Sequence, residues 1–232
     1  MQRVPQIRHW RPVRHPPALS PGELHLWRID AGTTGAPLAE LWPLLSEGES
    51  ERAGRFRFDR HRERYVRAHA GLREILSGYV GVEPRRIGLR YGAAGRPYLE
   101  DIRPDLDFNL TTSGDLALVG LSREQPVGVD CEQVCERRDM VGIAERMFTP
   151  EAASRIAAAG GEERLEQFHI AWTALEAEVK VDGRGLAART QPGDFGNLQV
   201  GHCVPAPGFI AAVACRDLPP VADWIALELS AD

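Results

Sequence analysis

The chain has 232 residues, 43% of them hydrophobic, and a formal net charge of −5. That length and composition allow a full buried core, in one large domain or two halves of roughly 100 residues each, and the acidic balance argues against a nucleic-acid binder. The first twenty residues are rich in Arg and Pro and hold no apolar run, which excludes a signal-peptide core or a membrane span there and leaves the expectation of a loosely ordered leader on a cytoplasmic protein.

Residues 22–30 (GELHLWRID) are expected to form the first strand, and Ser46 with Glu49 three residues later is a capping box opening a helix. A second helix follows, in which Tyr65, Ala68, His69, Leu72, Ile75, Leu76 and Tyr79 recur at helical spacing, so that one face is buried and the Arg-rich face points outward. After the turn-forming GAAGRP come two extended segments, DFNL and LALVGLS, with TTSGD expected as the tight turn between them. PVGVDCEQV reads as a strand whose Val127, Val129 and Cys131 point one way and Gly128, Asp130 and Glu132 the other. Thr149 and Pro150 fit the N-cap and first position of another helix, and a long helix is predicted from about Glu162 to Val181 with Leu165, Phe168, Trp172, Leu175 and Val179 as its apolar stripe. NLQVGHCV and FIAAVACR are the final strands. Strand, helices and hairpin thus occur twice, predicting two α+β halves, residues 21–125 and 126–232, after a leader over residues 1–20.

Four cysteines, Cys131, Cys135, Cys203 and Cys215, show no zinc spacing and are expected as reduced, buried thiols. The basic residues are unevenly placed, with eight arginines between Arg52 and Arg73, while Lys180 is the only lysine. A compact ammonium is not replaced by a planar guanidinium at a crowded phosphate or metal site, so a single lysine among so many arginines is a candidate for function. Asp130 and Glu132, two apart on a strand, project carboxylates to one face about 6 to 7 Å apart. Glu176 and Lys180, four apart, are neighbours on one face of the long helix, beside its apolar stripe. Three carboxylates of this kind suit magnesium, a hard ion usually held by few protein oxygens plus substrate phosphates, better than zinc. Each piece alone is equally at home as a strand with ordinary charges or as a surface ion pair.

Five blocks in order, RFRFDRHRERYVRAHAGLREIL, GRPYL, FNLTTSGDLALVGLS, VGVDCE and FHIAWTALEAEVKVDGRGL, resemble the signature blocks of the Sfp-type 4'-phosphopantetheinyl transferases and cover most of residues 45–215. The resemblance implies an α+β fold made of a pseudo-twofold pair of similar α+β halves in one monomer, with the site in the cleft between them. It implies magnesium-dependent transfer of the 4'-phosphopantetheine arm of coenzyme A to a serine of an acyl- or peptidyl-carrier protein, in polyketide or nonribosomal peptide biosynthesis. By position, Asp130, Glu132 and Glu176 match the metal carboxylates, Lys180 the phosphate-contacting lysine, and Glu176 or a metal-bound water the group that takes the serine proton. Arg52, Arg96, Thr111, Thr112 and Lys180 fall at coenzyme-binding positions. The sequence departs from the family at Thr112, where a histidine is usual, at Leu175, where a lysine is usual, and at Glu49, where some members carry a basic residue. Glu49 is accounted for by the capping box and Leu175 by packing on the apolar stripe. A transferase fold redeployed on a carrier-tethered intermediate, and a non-catalytic carrier-binding module, are the alternatives.

Overall fold

The computed structural model describes residues 3–32, 35–100, 103–183, 185 and 197–230. Met1 and Gln2 of the expected leader, and Arg184 and Leu186 of the last signature block, lie outside them. The strands are β1 (Arg11–Val13), β2 (His25–Asp30), β3 (Leu89–Tyr91), β4 (Pro97–Leu99), β5 (Leu106–Ser113), β6 (Leu116–Arg123), β7 (Gly128–Gln133), β8 (Gln199–Cys203), β9 (Phe209–Cys215) and β10 (Ile225–Leu229). The α-helices are α1 (Leu38–Leu41), α2 (Glu47–Gly54), α3 (Asp59–Val80), α4 (Met140–Met147), α5 (Pro150–Ala158) and α6 (Gly161–Asp182). One sheet has the order β1-β10-β2-β6-β5, a second β7-β9-β8, and β3 and β4 form a separate ribbon.

Alternation along the strands builds an α/β/β/α stack. On β2, Trp27 and Ile29 pack beneath α3 with Leu72, Ile75 and Leu76, while Leu24 and Leu26 turn to the opposite side and meet Val127, Val129 and Cys131 of the second sheet. The other face of the second sheet takes α6. Small residues make that contact close: Ala177 packs on Ala212 and Ala214, and a side chain on Gly128 would run into the Ala177 carbonyl at 2.0 Å. Gly128 is therefore where the α6 backbone rests on β7, the close approach that a glycine in this strand allows.

Local signals explain most boundaries. Ser46 and Glu49 form the capping box of α2, Thr149 caps α5 with Pro150 at its first position, and α3 and α6 end on left-handed Gly81 and Gly183. The β5–β6 turn is shorter than expected. Thr111, Thr112 and Ser113 continue the strand, and only Gly114, at φ 57, and Asp115 turn the chain.

The structure departs from several further expectations. The leader is docked over its described part: Trp10 is buried, β1 pairs in parallel with β10, and the Ile7 amide donates to the Val204 carbonyl. The second half is not self-contained either, because β10 lies in the first sheet between β1 and β2 and its apolar residues fit that core. The Arg-rich side of α3 is not wholly outward, since Arg67 and Arg73 are buried. Arg73 ion-pairs with Glu49 and donates to the Pro84 and Ile87 carbonyls, so its charge is met inside the first half. Cys131, Cys203 and Cys215 are buried thiols, whereas Cys135 is exposed.

Candidate functional site

The edges of the two sheets meet along β5 and β7, and side chains rather than a backbone ladder join them. Asp107, Asn109, Thr111 and Ser113 share one face of β5. The Val127 amide donates to Asp107 Oδ1 at 3.0 Å, the Val129 amide to Asn109 Oδ1 at 3.0 Å, and the Gln133 amide to Ser113 Oγ at 2.9 Å. Thr111 Oγ1 donates to Asp130 Oδ1 at 3.1 Å and Ser113 Oγ to Glu132 Oε2 at 3.3 Å. These bonds satisfy β7 edge amides that have no neighbouring strand, and they fix the two carboxylates against the first half.

Across from this seam, α6 delivers Lys180 and Glu176. Lys180 Nζ donates to Asp130 Oδ1 at 2.6 Å, the Val129 carbonyl at 3.0 Å and Thr111 Oγ1 at 3.1 Å. Asp130 is 5% exposed and its second oxygen, Oδ2, is buried with no hydrogen-bond partner among the described residues. Burial pushes its carboxyl above the usual carboxylate range, against the pull of the Lys180 ammonium. Glu176 is raised too, first by burial and then by repulsion from Asp130, again opposed by Lys180. Glu132 carries an arginine of its own: Arg137, in the loop after β7, places Nη2 2.9 Å from Glu132 Oε2 and lays its guanidinium over the Trp172 ring at 5.5 Å.

The four residues expected at the centre, Asp130, Glu132, Glu176 and Lys180, therefore share one electrostatic neighbourhood, with Thr111 bonded into it. Three carboxylates face two cations, a surplus of one negative charge when all are ionised. Hard oxygen donors, one of them buried and unpartnered, are the chemistry a divalent magnesium ion takes. Among the described residues no three His, Cys, Asp or Glu side chains converge closely enough to hold a metal between them. The cationic positions beside Asp130 and Glu132 are filled by Lys180 and Arg137.

The expected nucleotide contacts are scattered. Arg52 is exposed on α2 with its guanidinium over Tyr65, and Thr112 is exposed on the face of β5 opposite Thr111. Arg96 presents no free guanidinium: it pairs with Asp107 and donates to the Val127 and Val181 carbonyls, joining the ribbon, the seam and the end of α6. Leu175 is buried with Phe148, Phe168 and Val179, and it borders an apolar cavity of about 820 Å³ that Glu178 also lines. The sequence reading missed Asp107, Asn109 and Ser113. Their signal is the alternation of Asp, Asn, Thr and Ser in LDFNLTTS, which the turn-forming composition of TTSGD masks. Nothing in the pattern singled out Arg137.

Residues 126–211 match the family model of the 4'-phosphopantetheinyl transferase superfamily. The chain is 35% identical over 180 residues to the 4'-phosphopantetheinyl transferase HetI of Nostoc sp., an alignment spanning 77% of this chain and 76% of that protein. It is 25% identical over 143 residues to the 4'-phosphopantetheinyl transferase Sfp of Bacillus subtilis, 62% of each chain. It is 26% identical over 194 residues to the human L-aminoadipate-semialdehyde dehydrogenase-phosphopantetheinyl transferase, 76% of this chain and 62% of that protein. The chain thus spans less than two thirds of the length of the last two.

Proposed function

Because the chain belongs to the 4'-phosphopantetheinyl transferase family, we propose that it moves the 4'-phosphopantetheine arm of coenzyme A onto a serine of an acyl- or peptidyl-carrier protein. Asp130, Glu132 and Glu176 are the residues that would hold magnesium, an ion for which one or two carboxylates suffice when substrate phosphates complete its shell. The observation that carries this reading is the buried, unpartnered Asp130 Oδ2 within a cluster that has one carboxylate more than it has cations.

A bound magnesium ion supplies neutralisation of the diphosphate oxygens. The protein does the positioning. The carrier serine oxygen attacks the phosphorus that bears the pantetheine arm, the bond from that phosphorus to the bridging oxygen breaks, and 3',5'-bisphosphate adenosine leaves with the electron pair. Glu176, or a water at the metal, would take the serine proton. Lys180, anchored by Asp130, the Val129 carbonyl and Thr111 but with its side chain a quarter exposed, directs its ammonium toward charge gathering on the leaving phosphate. Arg52 and Thr112 are the nucleotide contacts the fold leaves accessible, and Arg96 is assigned to holding the halves together. The same proposal places the protein as a cytoplasmic monomer in polyketide or nonribosomal peptide biosynthesis. No helix among the described residues is long and apolar enough to cross a membrane.

Intact-mass analysis of apo carrier proteins incubated with this protein, coenzyme A and magnesium tests the reading. One added phosphopantetheine arm is expected, lost in Glu176→Gln and kept in Glu178→Gln, whose residue lines the apolar cavity instead. Several unrelated carriers left unmodified, while a control transferase modifies them, overturn it.

A further inference from the structure

Arg137 has no part in the chemistry above, yet it is bonded to one of the three carboxylates. Its Nη2 lies 2.9 Å from Glu132 Oε2, and its guanidinium is braced over Trp172, a residue of the same helix that carries Glu176 and Lys180. It is the cationic counterpart, on Glu132, of Lys180 on Asp130. The two anchorages differ. Lys180 is tied down by three acceptors in the seam and sits on a helix. Arg137 is on the loop between β7 and α4, its side chain is 30% exposed, and Ser113 Oγ also donates to the Glu132 oxygen that it contacts.

We propose that Arg137 is an exchangeable counter-ion of the coenzyme site. Without ligand it neutralises Glu132 and competes with a divalent cation for that carboxylate; when coenzyme A arrives, it releases Glu132 to the cation and turns its guanidinium to the diphosphate. The proposal rests on the transferase reading and deepens it. The chemistry suits the exchange. A guanidinium presents the same planar fork to a carboxylate and to a phosphate, so either partner satisfies it, and the Trp172 face keeps the cation in place while its hydrogen-bond partner changes. A pair with its side chains 30% and 23% exposed is weak enough to be exchanged, unlike the buried Arg73–Glu49 pair. The arrangement also favours cation and coenzyme binding together, because the cation alone must displace Arg137 with no phosphate to receive it.

Removing the guanidinium therefore has effects of opposite sign on the two ligands. Calorimetric titrations of the full chain compare the parent, Arg137→Gln, Arg137→Lys and Arg138→Gln, the last an exposed neighbour that changes net charge equally. For Arg137→Gln, magnesium titrated alone should bind about three- to ten-fold tighter, and coenzyme A titrated with magnesium present should bind about ten-fold weaker. Arg137→Lys should fall between parent and Gln for coenzyme A, and Arg138→Gln should match the parent. Thermal unfolding of each variant accompanies the titrations, since a merely structural role would lower the melting temperature and weaken both ligands together. Both ligands weakened, or both unchanged, in Arg137→Gln overturns the exchange while leaving the transferase reading in place. A parent protein that binds neither magnesium nor coenzyme A overturns both.

Discussion

Two buried acid–base pairs, one in each half, show how the same chemistry serves different ends. Glu49 in the first half receives the Ser46 amide, the Ser46 hydroxyl and Arg73. Asp130 in the second half receives Lys180 and Thr111, but Glu132 and Glu176 press on it as well. Each acid leaves one oxygen without a partner, Glu49 Oε1 and Asp130 Oδ2. The difference is whether charge is left uncompensated. Around Glu49 it is balanced by Arg73 and sealed, with both side chains at most 3% exposed; around Asp130 an excess of negative charge remains, and Lys180 opens it to solvent. A leftover oxygen becomes a binding feature where charge and access both invite a cation.

The largest expected effect separates the two pairs by what each one supports. Arg73→Met strands the Glu49 carboxylate inside the first half and should cost about 3 to 5 kcal/mol of stability in urea denaturation. Asp130→Asn, which relieves crowding among three carboxylates, should change stability by about 1 kcal/mol or less while abolishing transfer. If Asp130→Asn unfolds the protein as readily as Arg73→Met, both pairs are structural and the contrast fails.

The first half also responds to acid. His25, fully buried in the first half, shares a hydrogen bond between Nδ1 and the Tyr79 hydroxyl, and burial pushes its pKa down from 6.5 to about 4. From pH 6.5 down to about 4 the unfolded chain binds this proton and the folded one does not, so the contribution is whole above pH 6.5 and erodes through that window, by about 3 kcal/mol in all. Denaturation of parent and His25→Gln at pH 7.5 and 4.5 measures it. The variant should be less stable at pH 7.5 but lose less on acidification; equal losses would show that this histidine does not carry the pH response.

The smallest effects concern two of the three positions where the sequence leaves the family pattern. Leu175→Lys places an ammonium among Phe148, Phe168 and Val179, and even with its stem reaching along the cavity it should lower stability by about 2 kcal/mol without improving coenzyme A binding. Thr112→His, on an exposed strand position, should stay within about 0.5 kcal/mol. A Leu175→Lys protein that is fully stable and binds coenzyme A tighter would mean that this helix face turns toward the phosphates after all.

Elements set by local chemistry were legible in the sequence. The capping box of α2, the Thr149–Pro150 start of α5, the span of α6 and the two faces of β7 all followed from spacing, and so did the pairing of Asp130 with Glu132 and of Glu176 with Lys180. What was not legible depends on distant partners. Arg73 is buried because Glu49 and two carbonyls await it, which helical periodicity cannot report. Trp10 and β1 are ordered by residues more than 190 positions away. Arg96 carries a family-like position but finds Asp107 and two carbonyls, and its sequence neighbours give no sign of that. The link between Arg137 and Glu132 depends on the path of a loop that has no regular period.

The placement of β10 bears on how the molecule is made. Residues 225–229 run in parallel between β1 and β2, so the first sheet stays split until this strand has been made. Until then the edge of β2 opposite β6 is bare, and β1 has nothing to pair with. The nascent first half is thus an unfinished template until β10 arrives, open meanwhile to any strand that fits, and β10 joins segments far apart in the described chain into one sheet.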